Sequence, residues 1–517
     1  MKTLVFLFAP ANSLYKFDKL FDGKSAFERS LEWAESMKKL CESEICVLTE
    51  PSEAEKCRGL ISEPEKVLVV EKNSWTITEL FDSFCAECEK TKADTIIFAW
   101  ADCPFLNLKV TKEMLSVHKE FIAEYTYADG YADGLCPEVL DSGAAKILLE
   151  LSKKQEESKV IRTGIFDLLK TDINSFDVET VIAENDAGLF RIHFDCGTKQ
   201  TALCCKEMFA LGVEGKNADE ISEAACKSVK VLKTLPSYYS IQITDRVNSR
   251  VIYHPDGIED CKGKEFMALD NFKKIIDTIS DFSETAVVSL SAWGEALLHP
   301  DFEEMLRYVL SKTGLTVLIE GELLSVSEDL CQRIKNIPAS AERTIWISCL
   351  DSFTPETYCL IHKGAVPENF EQAKETLSVL AKYFPDSVYA QFVRMNENEE
   401  ELEAFYKFWS AKTSPSNGKI IVQKYDNFCG LLPDRKPADL APLERNACWH
   451  IRRDITILCD GSVPFCRARV KADIVGNILS DKPEMIWKMF DSEVQNHLCG
   501  KYSGKCGNCD EYYTFNF

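Results

Sequence analysis

The cysteines near the end of the chain constrain it more tightly than any other feature. Cys448 opens Cys-Trp-His, Cys459 and Cys466 bracket Asp-Gly-Ser-Val-Pro-Phe, and Cys499 precedes Cys506-Gly-Asn-Cys509. Gly461 stands just after Cys459, so a tight turn can swing Cys466 back toward Cys448. The closing Cys-x-x-Cys presents two sulfurs from a single turn, a local geometry that zinc and iron–sulfur centres share. Spacing does not choose between those metals. The chain holds 22 cysteines in 517 residues without a regular pairing pattern. That usage points to a reduced cytoplasmic protein, in which such a set reads as metal binding before it reads as disulfides.

The wider segment is more specific. Cys448, Gly461 to Cys466, Gly476-Asn477, Trp487 and Cys506/Cys509 follow the order found in the SPASM domain, the auxiliary-cluster module of many radical SAM enzymes. The tail from Cys509 through Asp-Glu-Tyr-Tyr-Thr-Phe-Asn-Phe resembles that of the spiro-SPASM proteins. The resemblance implies one 4Fe-4S cluster held by Cys448, Cys466, Cys506 and Cys509. Cys459 and Cys499 are left over, too few for a second full set. A zinc knuckle or uncommitted thiols are the alternatives.

A net charge of −23 disfavours nucleic acid and anionic lipid as main partners, because either would repel the surface. No apolar run is long enough to cross a bilayer. The opening Met1-Lys-Thr-Leu-Val-Phe-Leu-Phe-Ala-Pro-Ala11 has the outline of a signal peptide, but it also makes a buried first strand, and the strand is the expectation.

Residues 1–212 alternate short apolar runs (Leu4–Phe8, Ile45–Leu48, Lys66–Val70, Thr95–Trp100) with helical stretches at Ser25–Leu40 and Ile77–Thr91. That rhythm predicts a Rossmann-like parallel sheet, with any ligand at the carboxyl ends of its strands. Ser13, Lys19-Leu20, Asp102-Cys-Pro, Asp133-Gly-Leu-Cys-Pro-Glu138-Val and Arg191-Ile-His-Phe-Asp195 resemble the motifs of cytidylyltransferase-like sugar nucleotidyltransferases, where the counterpart of Asp102 binds metal. Pro10 and Tyr15 stand where that family has arginines, and Asn12 and Asp18 where it has glycines. Cradling a triphosphate needs positive charge and close backbone approach, so the expectation is a retained fold without nucleotidyl transfer.

After a polar linker at 213–236, the βα rhythm resumes with strands at Tyr239–Thr244, Thr285–Ser291, Thr316–Ile319, Thr344–Ser348, Ser387–Val393 and Lys419–Lys424. Helical patterns at Leu269–Ser280, Phe302–Ser311, Phe370–Tyr383 and Glu399–Ala411 lie between them. Six such units over 237–440 suggest an incomplete (β/α)6 barrel with its site at the strand ends, followed by a small cysteine-rich domain at 441–517.

Ser291-Ala-Trp-Gly294-Glu295-Ala-Leu-Leu-His299-Pro300 and Ser348–Tyr358 resemble segments of radical SAM barrels, where the counterparts of Gly294 and Glu295 meet the amino group of S-adenosylmethionine. That family places Cys-x3-Cys-x2-Cys after the first strand; Val247, Val251 and His254 occupy the three positions here. Valine has no lone pair for iron, one imidazole cannot hold a cubane, and Cys261 is the one nearby thiol. The Thr-Asn-Gly motif expected after the third strand is altered to Ile319-Glu-Gly321. His254 reads most simply as a loop or surface histidine. The resemblances together imply a cytoplasmic radical SAM/SPASM-type protein with one cluster, a protein or peptide partner and no reductive cleavage of S-adenosylmethionine. An active radical SAM modifying enzyme, a residual sugar nucleotidyltransferase and a zinc-stabilised scaffold are the competing readings.

Overall fold

Apolar residues on one stripe set most of the helices. In Leu269–Ser283, Phe272, Ile275, Ile276 and Ile279 are buried, the spacing of one helical face. Ser25 and Thr76 start their helices through capping boxes, each bonding reciprocally with the glutamate three residues on. The computed structural model describes residues 2–255, 266–469, 473–502 and 504–514; Cys261 lies outside them. The chain divides into two compact units, Met1–Thr234 and Leu235–Phe517.

The first unit is built on a seven-stranded sheet: β1 (Lys2–Ala9), β2 (Glu42–Thr49), β3 (Val67–Glu71), β4 (Thr95–Trp100), β5 (Tyr125–Asp129), β6 (Glu138–Asp141) and β7 (Val178–Ile182). The order is β3-β2-β1-β4-β6-β5-β7, with β6 antiparallel to both its neighbours. The opening segment is therefore a central strand, buried from Thr3 to Ala9. Strands β5–β7 were absent from the sequence reading. They are short and carry Asp129, Glu138 and Glu179, so no long apolar run marks them.

The second unit carries β8 (Tyr238–Ile241), a two-residue β9 (Arg250–Val251), β10 (Ala286–Ser289), β11 (Leu315–Gly321), β12 (Thr344–Cys349), a two-residue β13 (His362–Lys363), β14 (Val388–Arg394), β15 (Ile420–Lys424), β16 (Asp454–Ile457), β17 (Ser462–Pro464) and β18 (Ile474–Asn477). Its large sheet runs β15-β14-β12-β11-β10-β8-β16, and every pairing in it is parallel. Six of these strands match the six expected from the sequence. The seventh is a correction: β16, read as part of a separate cysteine-rich segment, adds to β8 with Asp454 opposite Tyr238. Its Ile455 and Ile457 are buried in the common core. Among the described residues, no helix is long and apolar enough to cross a membrane.

Candidate metal centre

In the second unit one cavity of about 160 Å³ opens at the carboxyl ends of the parallel strands. Cys448, Cys466, Cys506 and Cys509 all line it, arriving from three separate segments. Gly461 has the left-handed φ of 82° that the turn between Cys459 and Cys466 requires, and the antiparallel pair β17/β18 extends that turn. Trp449 N–H donates to Tyr512 O at 2.8 Å, tying the Cys448 segment to the tail. Arg445 donates to the carbonyls of Cys506 and Gly507, and its guanidinium lies 4.0 Å over the Tyr502 ring.

Two further thiols line the same cavity, Cys349 at the end of β12 and Cys429. Cys429 follows β15, far from the other cysteines in sequence, and no spacing pattern marks it. Cys459 and Cys499 are not among the described lining residues; Cys499 is exposed at a helix end. Burial pushes the Cys448 thiol up, with Cys509 and Cys466 adding to the rise. Thiols gathered on one cavity, with Cys448 held toward its neutral form, make a donor set that a cation would stabilise. Four thiols on one cavity fit an iron–sulfur centre in kind; the donors that converge within 4.8 Å of one another among the described residues are Glu493, His497 and Cys506.

Val247, Val251 and His254 line the cavity. His254 is a half-buried loop residue with its ring edge-on to Tyr253 at 5.3 Å. A buried polar group braces the loop. His362 Nδ1 lies 3.3 Å from Glu322 Oε2, and its Nε2 lies 3.5 Å from Asp351 Oδ2. Tyr253 donates to Asp351 at 2.7 Å, Tyr358 donates to Glu322 at 3.1 Å, and Ser249 N–H donates to Glu322 at 2.9 Å. The antiparallel pair β9/β13 sets Val251 opposite His362. Burial opposes protonation of His362, but the two carboxylates outweigh it and raise its pKa to about 9.

Gly294 must be glycine, since a Cβ there would meet Thr244 O at 1.9 Å. That close approach lets Glu295 N–H donate to Arg246 O at 2.8 Å, pinning the turn to the start of the loop. Glu295 is buried; its Oε2 accepts from Glu322 N–H at 2.9 Å, and its Oε1 has no hydrogen-bond partner among the described residues. Burial first, then the Glu322 charge, pushes its carboxyl up to about 8. Non-glycine residues with left-handed φ follow four of the strands here: Trp293, Leu323, Asp351 and Cys429. Each such residue costs on the order of 1–3 kcal/mol, and strain of this kind concentrates where a site needs it.

In the first unit Asp102 is fully buried after β4. Ser13 Oγ donates to it at 2.5 Å, and Arg162 Nη2 lies 2.7 Å from its Oδ2 and 3.4 Å from Asp195 Oδ1. An arginine thus joins Asp102, whose counterpart in the resembling family binds metal, to Asp195. Lys16 is 1 % exposed and pairs with Glu53 at 2.9 Å; Lys19 pairs with Glu28. His193 bonds Asp133 at 2.8 Å, which raises its pKa, and Tyr125 donates to Glu138 at 2.6 Å.

No protein-family model matches the chain. Among solved structures, Streptococcus suis SuiB bound to the precursor peptide SuiA aligns with a TM-score of 0.42 at 10% identity, covering 72% of this chain and 84% of that one. A cytidylyltransferase from Leptospira borgpetersenii serovar Hardjo-bovis aligns with a TM-score of 0.38 at 16% identity, over 46% of this chain and 99% of that one. Likeness at that level defines neither ligand nor reaction. A protein of Treponema pallidum (strain Nichols), described as uncharacterized, is 36% identical over 362 residues, covering 68% of this chain and 98% of its own length. On that identity and coverage, the chain belongs to the family of this Treponema pallidum protein.

Proposed function

We propose that this is an iron–sulfur protein of radical SAM/SPASM type, holding one 4Fe-4S cluster on Cys448, Cys466, Cys506 and Cys509. The observation that carries the reading is the convergence of those four thiols, from three segments, on one cavity at the strand ends of a parallel sheet. A bound cluster would supply one-electron storage at that place. The chain's own residues position the thiols, through the Gly461 turn and the Arg445 contacts to the tail.

On this reading the protein does not cleave S-adenosylmethionine reductively. Val247, Val251 and His254 offer no thiolate, and the loop that carries them is braced by the Glu322, Asp351 and His362 group. Its work is then docking of a protein or peptide partner, or electron transfer to it. The first unit keeps a nucleotidyltransferase-like arrangement without a triphosphate site, because Arg162, Lys16 and Lys19 are all committed to carboxylates. The test is iron, zinc and sulfide analysis of anaerobically purified protein, with electron paramagnetic resonance after dithionite reduction. About four irons per chain and a reduced-cluster signal are expected; stoichiometric zinc without iron would overturn the cluster.

A further inference from the structure

Glu493 and His497 stand four residues apart on the helix Asp491–Leu498, so both face one side of it. That side meets the tail: a ring nitrogen of His497, a carboxylate oxygen of Glu493 and the Cys506 sulfur lie within 4.8 Å of one another. His497 and Cys506 are buried, and Glu493 is half-buried. Nitrogen, oxygen and sulfur are all donors that zinc accepts, so the trio could hold an ion in kind. The hydrogen bonds argue for a different use. Cys448 N–H donates to His497 Nδ1 at 3.3 Å. A ring nitrogen that accepts carries no proton, so the one N–H of the neutral imidazole sits on Nε2. A metal-ligating imidazole does the reverse, donating from the nitrogen that the metal leaves. Bound to an ion through Nε2, His497 would turn a second N–H toward that of Cys448.

The imidazole is held from other directions too. The His497 and Tyr502 ring centroids lie 4.9 Å apart. Tyr502 OH donates to Arg445 O at 3.0 Å, and Arg445 donates to the carbonyls of Cys506 and Gly507. Asn496 Nδ2 donates to Glu493 Oε2 at 3.1 Å, and Glu493 Oε1 lies 3.6 Å from His497 Nε2. One imidazole therefore joins two of the proposed ligand segments: it accepts from the backbone of Cys448 and faces the sulfur of Cys506.

We propose that His497 is a positioning residue for the metal centre, holding the Cys448 backbone through Nδ1 and donating its Nε2–H to the Cys506 sulfur when that sulfur is a metal-bound thiolate. The inference rests on the iron–sulfur reading given above. A thiolate accepts a hydrogen bond more strongly than a neutral thiol, so the N–H that leans toward Glu493 turns to the sulfur when the centre is loaded. Hydrogen bonds to ligating sulfurs take up part of their charge and favour the reduced cluster.

The experiment uses the full chain, purified anaerobically, as wild type, His497→Leu and His497→Gln. Iron, zinc and sulfide content and circular dichroism are measured for each, with the cluster midpoint potential from a dithionite titration read by electron paramagnetic resonance. Leucine removes both ring nitrogens at similar bulk; glutamine returns an N–H donor near the place of Nε2. His497→Leu is expected to keep more than half of its iron and to shift the reduction equilibrium about tenfold toward the oxidised form, about 59 mV for one electron. His497→Gln is expected to recover most of that shift. A folded, iron-loaded His497→Leu with the wild-type potential overturns the donor role, as does a glutamine variant shifted as far as the leucine one. Should His497→Leu fail to fold or to load, electron–nuclear double resonance decides, on wild type and His497→Gln grown with histidine carrying a nitrogen isotope label. A weak nitrogen coupling present in the first and gone from the second supports the contact; identical spectra overturn it. A coupling as large as that of an iron-bound imidazole would make His497 a ligand and overturn it as well. Wild-type metal content tests the cluster separately: zinc without iron, or no metal, would refute the cluster and this role together, whereas the variant comparisons refute the role alone.

Discussion

His362 Nδ1 lies 3.3 Å from Glu322 Oε2, with both side chains buried beneath the cavity. Two carboxylates, two tyrosine hydroxyls and one imidazole meet there behind the loop that carries Ser249 and Tyr253.

His362→Ala should therefore destabilise the second unit. Removing one partner of a buried ion pair leaves uncompensated charge, which costs about 3–5 kcal/mol. The effect has a definite pH dependence. The folded pKa of His362 is raised to about 9 from an ordinary value of 6.5. Its contribution is thus complete below about pH 6.5 and lost as pH rises through 9. Urea unfolding at pH 6.5 and pH 9.5 is the check: the wild type should lose more stability across that interval than His362→Ala does.

Iron should depend on the tail. Replacing Cys506 and Cys509 together with alanine removes half of the proposed ligand set, leaving Cys448 and Cys466, and most of the metal should be lost. Release of the tail should follow, seen as faster proteolysis after Cys448. Cys459→Ser should keep its iron, and loss of the cluster from that single change would mean that the ligand set is misassigned.

S-adenosylmethionine should not yield 5′-deoxyadenosine when added to the reduced, reconstituted protein. The readout is chromatography against a cluster-free control, and product above that control would require ligands other than those described. Val247→Cys, Val251→Cys and His254→Cys together should raise iron by about four per chain, because the three positions already line one cavity.

CTP should bind the first unit poorly. Arg162 joins Asp102 to Asp195, and Lys16 and Lys19 are both paired with glutamates. A dissociation constant weaker than about 100 μM with magnesium, near 5.5 kcal/mol, is expected by calorimetry. Low-micromolar affinity would contradict it.

The strand and helix rhythm of both units was legible from the sequence because alternating apolar runs and amphipathic stripes are local properties. The expected strand at Thr95–Trp100 is the observed one, and six of the seven strands of the second sheet lie where the periodicity puts them. Four of the cavity thiols were legible too, since turn-forming Gly461 and a Cys-x-x-Cys act over a few residues. Tertiary structure alone decided the rest. The place of β16 beside β8 depends on which sheet edge is open, and no local pattern reports that. Cys429 reaches the cavity only through a left-handed turn after β15 held by Asp426 and Arg467. Arg162 joins Asp102 and Asp195, and His362 joins Glu322 and Asp351, across long stretches of chain. Such partners are selected by burial, which leaves a charged group no stable alternative to the opposite charge the fold brings within reach.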